Sequence, residues 1–223
     1  MTIHANTRIG EIATEHPLAT RVFHRHGIDF CCGGGKPLAD ACAARGIDTD
    51  VVLEELRVEL DTRETPQTRW DQEPLEDLIR HILLTYHKPL KEELPRLAAM
   101  ARKVNDVHHD KSPDTLPELL HVVLGLQDEL ESHMAKEEQI LFPMILGGQG
   151  AMADGPISVM EHEHASAGAA LARLRELTNG YEVPEQACNT WRALWHGLAA
   201  LEESLHQHIH LENNILFPRA LSQ

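Results

Sequence analysis

The sequence predicts an all-α fold, an antiparallel four-helix bundle preceded by a small helical domain, and three observations carry that expectation. Four segments, roughly Leu75 to Val107, Leu116 to Leu146, Ile157 to Thr178 and Pro184 to Leu221, place apolar residues at helical spacing. Strand-like alternation of apolar and polar residues is absent. The pattern H-x-x-x-E-x-x-I-L-F-P occurs twice, from His133 to Pro143 and from His208 to Pro218, as a duplicated helical hairpin would require.

In chain order, the first 60 or so residues alternate short apolar runs with turn signals, broken by Gly33-Gly34-Gly35-Lys36-Pro37, and read as a small helical domain over residues 1–65. The polar stretch holding Pro66 and Pro74 has a linker's composition, so residues 66–74 are assigned to a linker and 75–223 to the bundle. Pro89 and Pro95 are expected to kink or interrupt the first bundle helix. Gly147, Gly148 and Gly150 stop the second, and Asn179-Gly180 the third. The fourth follows directly, and short connections between four helices imply antiparallel neighbours.

Composition narrows function. The chain has 223 residues, enough for one large core or for a core of about 150 residues plus a small domain. Acidic residues outnumber basic ones 35 to 20, and a formal charge of -15 disfavours nucleic acid and anionic membrane surfaces as partners. No stretch reaches the roughly 18 apolar residues of a membrane span, and Met1 to Ala19 lacks signal-peptide features, so a cytoplasmic location is expected. Cys31, Cys32, Cys42 and Cys188 suggest no disulfide framework, and a reducing cytosol keeps thiols free. Histidine is the outlier, with 16 residues against 4% aromatics.

Residues four apart share a helix face, so His133 with Glu137, and His208 with Glu212, each aim a nitrogen and a carboxylate together. Helices one and three then supply one inward ligand each, with His87 and His164 in corresponding places. His162 competes with His164, because a 75-residue offset from His87 lands on it. His206 and His210 lie about 160° from His208 on the helix and are expected to face solvent. Four imidazoles and two carboxylates suit a pair of ferric ions, leaving about +4 that an oxo or hydroxo bridge partly offsets. One coordination position per iron stays open to dioxygen, nitric oxide or peroxide. Zinc is the rival, but the spacing is not H-E-x-x-H and six ligands exceed one zinc's needs. I-L-F-P reads as core packing followed by helix termination.

The chain resembles the hemerythrin-like di-iron proteins that repair iron-sulfur clusters, often called RIC proteins. The resemblance rests on Asp29-Phe30-Cys31-Cys32-Gly33-Gly34, Arg80-His81 through Tyr86-His87, Ser132-His133-Met134 through Phe142-Pro143, Gly155-Pro156-Ile157-Ser158-Val159-Met160-Glu161, and Leu211-Glu212-Asn213-Asn214 through Phe217-Pro218-Arg219-Ala220. It implies a non-haem di-iron centre held by His87, His133, Glu137, His164, His208 and Glu212, which selects His164 over His162. It places Glu129 and Glu163 beside the site or its access path, in supporting or proton-handling roles. It implies repair of clusters damaged by nitrosative or oxidative stress, with labile iron donated to damaged iron-sulfur proteins, and it suggests a homodimer. Nitric oxide reduction at the open positions, or sensing of oxygen or nitric oxide, are the alternative activities. Cys31 and Cys32 precede a helix expected near Pro37, whose N-terminus could lower a thiol pKa and suit the pair to relay iron. Cys42 and Cys188 read as core residues.

Overall fold

A computed structural model describes residues 3–61 and 68–223, which form helices joined by turns, with one isolated bridge between Arg8 and Pro37. Part of the expected linker, residues 62–67, lies outside the described residues. No helix among the described residues is long and apolar enough to cross a membrane.

Four short helices build the N-terminal domain: α1 Ile9–Glu15, α2 Ala19–Arg25, α3 Leu38–Arg45 and α4 Thr49–Asp61. Ile12, Val22, Phe23, Phe30, Leu38 and Leu56 fill its core, and Cys42 lies among them as expected. α3 ends at Gly46, whose φ of 67° needs a residue free of a Cβ.

The bundle follows in four rods. The first is α5 Leu75–Ile82, a π-helical turn Leu83–His87 and α6 Lys88–His108; the second is α7 Thr115–Lys136, a π turn Glu137–Leu141 and α8 Phe142–Leu146. The third is the unbroken α9 Asp154–Leu177, and the fourth is α10 Asn189–Leu211, a π turn Glu212–Leu216 and α11 Phe217–Leu221. Arg219 donates to the carbonyls of Trp70 at 2.8 Å and Glu73 at 2.7 Å, fixing the approach to the first rod.

The prolines act differently from expectation. Pro143 and Pro218 do not terminate their helices, which run on to Leu146 and Leu221. Each π turn ends two residues before a proline, Pro89, Pro143 or Pro218, and that proline sits in the first turn of the α segment that follows. The wider i→i+5 turn absorbs the missing N–H donor, so the rod continues. Pro95 lies on the exposed face inside α6, which stays unbroken, and solvent there satisfies the carbonyl that loses its partner. Within I-L-F-P, Leu141, Phe142, Leu216 and Phe217 are buried, but Ile140 is 53% exposed. Cys188 is a further correction. The fourth rod begins at Asn189 rather than Pro184, leaving Cys188 exposed at its N-cap with Sγ 3.2 Å from His108 Nε2.

Two apolar cores divide the bundle along its length. One gathers Leu97, Leu119, Leu130, Leu171, Leu198 and Leu205; the other gathers Leu78, Ile82, Phe142, Ile157, Leu216 and Phe217. On every rod the step from one core to the other falls at or directly beside the expected ligands: between Ile82 and Leu90, between Met134 and Leu141, between Met160 and Ala167, and between Leu205 and Leu211. A polar slice thus crosses the bundle, walled on both sides by hydrocarbon.

Candidate metal centre

That slice contains His87, His133, Glu137, His164, His208 and Glu212, all buried, with both glutamates fully so. The Nε2 atoms face inward in two pairs, His87 with His208 at 3.2 Å and His133 with His164 at 3.1 Å. Glu137 Oε2 lies 3.3 Å from Nε2 of both His87 and His133, one histidine from each pair. Glu212 reaches the other two, Oε1 to His208 at 3.0 Å and Oε2 to His164 at 3.1 Å. The donors therefore form two overlapping groups, His87, Glu137, His208 and Glu212, and His133, Glu137, His164 and Glu212, which share both carboxylates. Three of the six are delivered by π turns: His87 ends one, and Glu137 and Glu212 open the others.

The outer nitrogens set the tautomers. Nδ1–H of His87 donates to Glu138 Oε1 at 2.9 Å, that of His133 to Glu163 Oε2 at 3.0 Å, and that of His164 to Asn213 Oδ1 at 2.8 Å. A proton held on Nδ1 leaves Nε2 with its lone pair directed into the slice, the form a metal requires. Lys91 pairs with Glu138 and Lys136 with Glu163, so both carboxylates stay charged. Burial alone would raise the Glu138 and Glu163 pKa values, yet the lysine and histidine beside each hold them below the usual range.

Without a metal the slice is costly, and that cost tests whether the donor set fits a cation. Both oxygens of Glu137 and Oε2 of Glu212 are buried with no hydrogen-bond donor among the described residues. Two pairs of imidazole lone pairs face each other at about hydrogen-bond distance. Protons are the substitute: burial lowers the His133 pKa, but Glu137, Glu212 and Glu163 outweigh it and push the value to about 9. His87 and His164 are also raised, against burial, by Glu137 and Glu212 respectively. Burial would raise Glu212, but His208 and His164 hold it well below the carboxylate range. A group that collects protons around two buried carboxylates is a group that accepts cations.

Of the two expected supporting glutamates, Glu163 is in place on His133, whereas Glu129 is exposed one turn away and accepts from Ser166 at 3.1 Å. His162 is exposed while His164 is buried in the cluster. Glu138 and Asn213 escaped the sequence reading, although both stand directly after the glutamate of each repeat and are polar. Tyr86 escaped it as well; its ring lies parallel to His208, with centroids 5.2 Å apart and planes 6° apart.

The N-terminal domain sits on this end of the bundle. Asn214 Nδ2 donates to the carbonyls of Phe30 at 3.3 Å and Cys31 at 3.1 Å, and Asn213 Nδ2 reaches the Cys31 carbonyl at 3.4 Å. The expectation that His206 and His210 face solvent fails here. His210 is buried edge-on against Phe30, centroids 5.6 Å apart, and His206 is half-buried against Phe30 and His24. They do point away from His208, but the N-terminal domain covers that face. Burial lowers the His210 pKa to about 4, a hydrogen bond to the Phe30 backbone opposing it weakly.

Cys31 is buried and Cys32 exposed, with Cys32 Sγ about 4.0 Å from where a Gly168 side chain would stand, one turn along α9 from His164. Asp29 Oδ1 accepts from the backbone N–H of Cys31 at 3.1 Å and of Cys32 at 2.9 Å, closing the turn. The helix after the cysteines starts only at Leu38, so its N-terminus is not what separates the thiols. The Cys31 thiol faces two acceptors, Asp29 Oδ1 at 3.2 Å and Cys32 Sγ at 3.9 Å. The contact with Cys32, then burial and the Asp29 carboxylate, raises Cys31 well above the thiol range, while the Cys31 contact lowers Cys32 against burial.

Comparison with known proteins agrees with this arrangement. Residues 78–220 match the hemerythrin HHE cation binding domain, and residues 5–59 match a domain of unknown function, DUF542. The iron-sulfur cluster repair protein YtfE of Pectobacterium atrosepticum is 46% identical over 213 residues, 96% of each chain. Its namesake from Musicola paradisiaca is 47% identical over 215 residues, 96% of this chain and 95% of that one. The one from Escherichia coli O81 is 46% identical over 215 residues, 96% of each. The chain belongs to the hemerythrin HHE cation-binding family and, within it, to the iron-sulfur cluster repair proteins.

Proposed function

We propose that this chain repairs damaged iron-sulfur clusters by donating iron from a labile, oxo- or hydroxo-bridged non-haem di-iron centre in the polar slice. The observation that carries this reading is the sharing of Glu137 and Glu212 between two histidine pairs, each carboxylate serving both pairs. Two ions bound side by side need carboxylates so placed, and a single ion would leave one imidazole pair unused. The relatives are iron-sulfur cluster repair proteins, which gives the client class, iron-sulfur proteins.

Iron bound here supplies exchangeable ferrous ions to the client. The chain's own part is to hold Nε2 lone pairs inward, keep Glu212 ionised, and exclude water by the two flanking apolar cores. Two shared carboxylates and four neutral imidazoles hold ferrous iron less firmly than a carboxylate-rich cage, which favours release on reduction. Cys32, exposed beside Gly168 with its pKa lowered by its contact with Cys31, is the more reactive thiol of the pair and stands on the His164 side of the slice.

The test is transfer. Iron-loaded protein, reduced anaerobically, is mixed with a ferredoxin whose cluster has been damaged by nitric oxide, and recovery of the cluster's visible absorbance is followed. Recovery by the wild type but not by Glu137→Ala or Glu212→Ala supports donation. Iron that stays bound while nitric oxide is consumed in the presence of an electron donor would replace donation with nitric oxide reduction.

A further inference from the structure

The two histidine pairs are related by the internal repeat, but their outer contacts are not. His87 and His164 correspond, and each Nδ1–H has an acceptor from the residue following a repeat glutamate, Glu138 and Asn213. His133 and His208 also correspond, as the first residue of each repeat. His133 donates to Glu163, the residue before His164. The matching residue before His87 is Tyr86, and it offers His208 a ring face instead of a carboxylate. His208 Nδ1 is buried and has no hydrogen-bond partner among the described residues.

We propose that the two metal positions are unequal, and that the one between His87 and His208 binds more weakly and empties first. The proposal rests on the paired-metal reading above. An imidazole ligating through Nε2 keeps its proton on Nδ1, and an acceptor for that proton fixes the ring and raises its basicity toward the metal. His133 and His164 both have one; of His87 and His208, only His87 does. Losing such a contact lowers metal affinity by about 10–100-fold, which sets the expected gap between the two positions.

The surroundings agree with an exit on this side. Tyr86 also lines a cavity of about 350 Å³ between the domains, together with Trp70, His81, Gln207 and His210. Tyr86 thus touches His208 with its ring and the cavity at the same time. The His133 and His164 position has Glu163, Lys136, Asn213 and the docked Cys31–Cys32 turn around it. A donor that surrendered ions one at a time would thus keep the better-anchored ion while passing on the other.

The experiment is anaerobic titration of metal-free protein with Co²⁺ in competition with a chelator, following cobalt absorbance. The wild type should bind two ions in steps separated by about 10–100-fold. Tyr86→Glu, which supplies His208 with the counterpart of Glu163, should strengthen the weaker step and close the gap. Glu163→Leu should weaken the stronger step and close it from the other side, and it keeps the test available if Tyr86→Glu folds poorly. Two ions with a gap unchanged in the folded variants, or equal steps in the wild type, would overturn the inequality while leaving the paired-metal reading intact. Uptake of a single ion would overturn both. Because metal uptake alone is read, the result is independent of whether iron is later donated.

Discussion

Asn213 accepts the Nδ1–H of His164 at 2.8 Å while the other end of its amide reaches the Cys31 carbonyl at 3.4 Å. One side chain thus anchors an imidazole of the buried cluster and holds the cysteine turn of another domain against it. The next residue, Asn214, adds bonds to Phe30 and Cys31.

That docking is testable by crowding it. Gly10 and Gly34 approach Asn214 so closely that a Cβ on either would collide with its Oδ1. Gly34→Ala should therefore separate the domains, leaving buried Phe30 and Cys31 carbonyls unpaired at a cost of about 1–3 kcal/mol. Hydrogen exchange across residues 28–38 should accelerate in the variant; unchanged exchange would mean that the amide contacts do not hold the domains.

The cysteines should react unequally. Cys32 is exposed and its pKa lowered by the Cys31 donor, whereas Cys31 is buried and raised by the same contact. Limited iodoacetamide treatment of metal-free protein, followed by peptide mass mapping, should find Cys32 alkylated first. Cys31 reacting first would reverse the assigned donor and acceptor.

Metal-free protein should lose stability toward alkaline pH. His133 is pushed up to about 9, above its unfolded value near 6.5. Its contribution is therefore fully present below pH 6.5 and lost as pH rises through about 9. His87 and His164 shift in the same direction and add to the trend. Loading with metal releases these protons, so metal affinity should rise across the same window. Thermal melting at pH 6 and pH 9.5 should show the metal-free midpoint falling and the gap to metal-loaded protein widening; a flat metal-free profile would remove protons as the metal's substitute.

Acid should loosen the domain contact instead. His210 is held neutral, its pKa lowered to about 4, so the stability it contributes is present above pH 6.5 and lost as pH falls toward 4. His210→Leu should remove that part of the acid sensitivity, read as hydrogen exchange in α1 and α2 between pH 7 and 4.5. Equal acid sensitivity in wild type and variant would place the effect elsewhere.

What the sequence disclosed follows the range of each interaction. The i,i+4 spacing of His133 with Glu137 and of His208 with Glu212 is fixed within one helical turn, so the repeat exposes it directly. The Nδ1 acceptors come from neighbouring rods, and the contact of Glu138 with His87 across 51 positions depends on packing that no local pattern encodes. The proline reading failed for a related reason. Pro143 and Pro218 each follow a π turn that lets the rod continue, and the extra residue of that turn leaves no clear signature in hydrophobic spacing. His210 was placed correctly by angle, opposite to His208, yet the N-terminal domain turned that outer face into an interior one.

The most direct measurement is iron per chain in purified protein, determined by elemental analysis for the wild type, Glu137→Ala and Glu212→Ala. Two shared carboxylates predict about two irons per wild-type chain and a loss of iron in either variant, with the helical content of the variants retained. One ion per chain, stoichiometric zinc in place of iron, or full iron occupancy in both variants would contradict a di-iron centre built on Glu137 and Glu212.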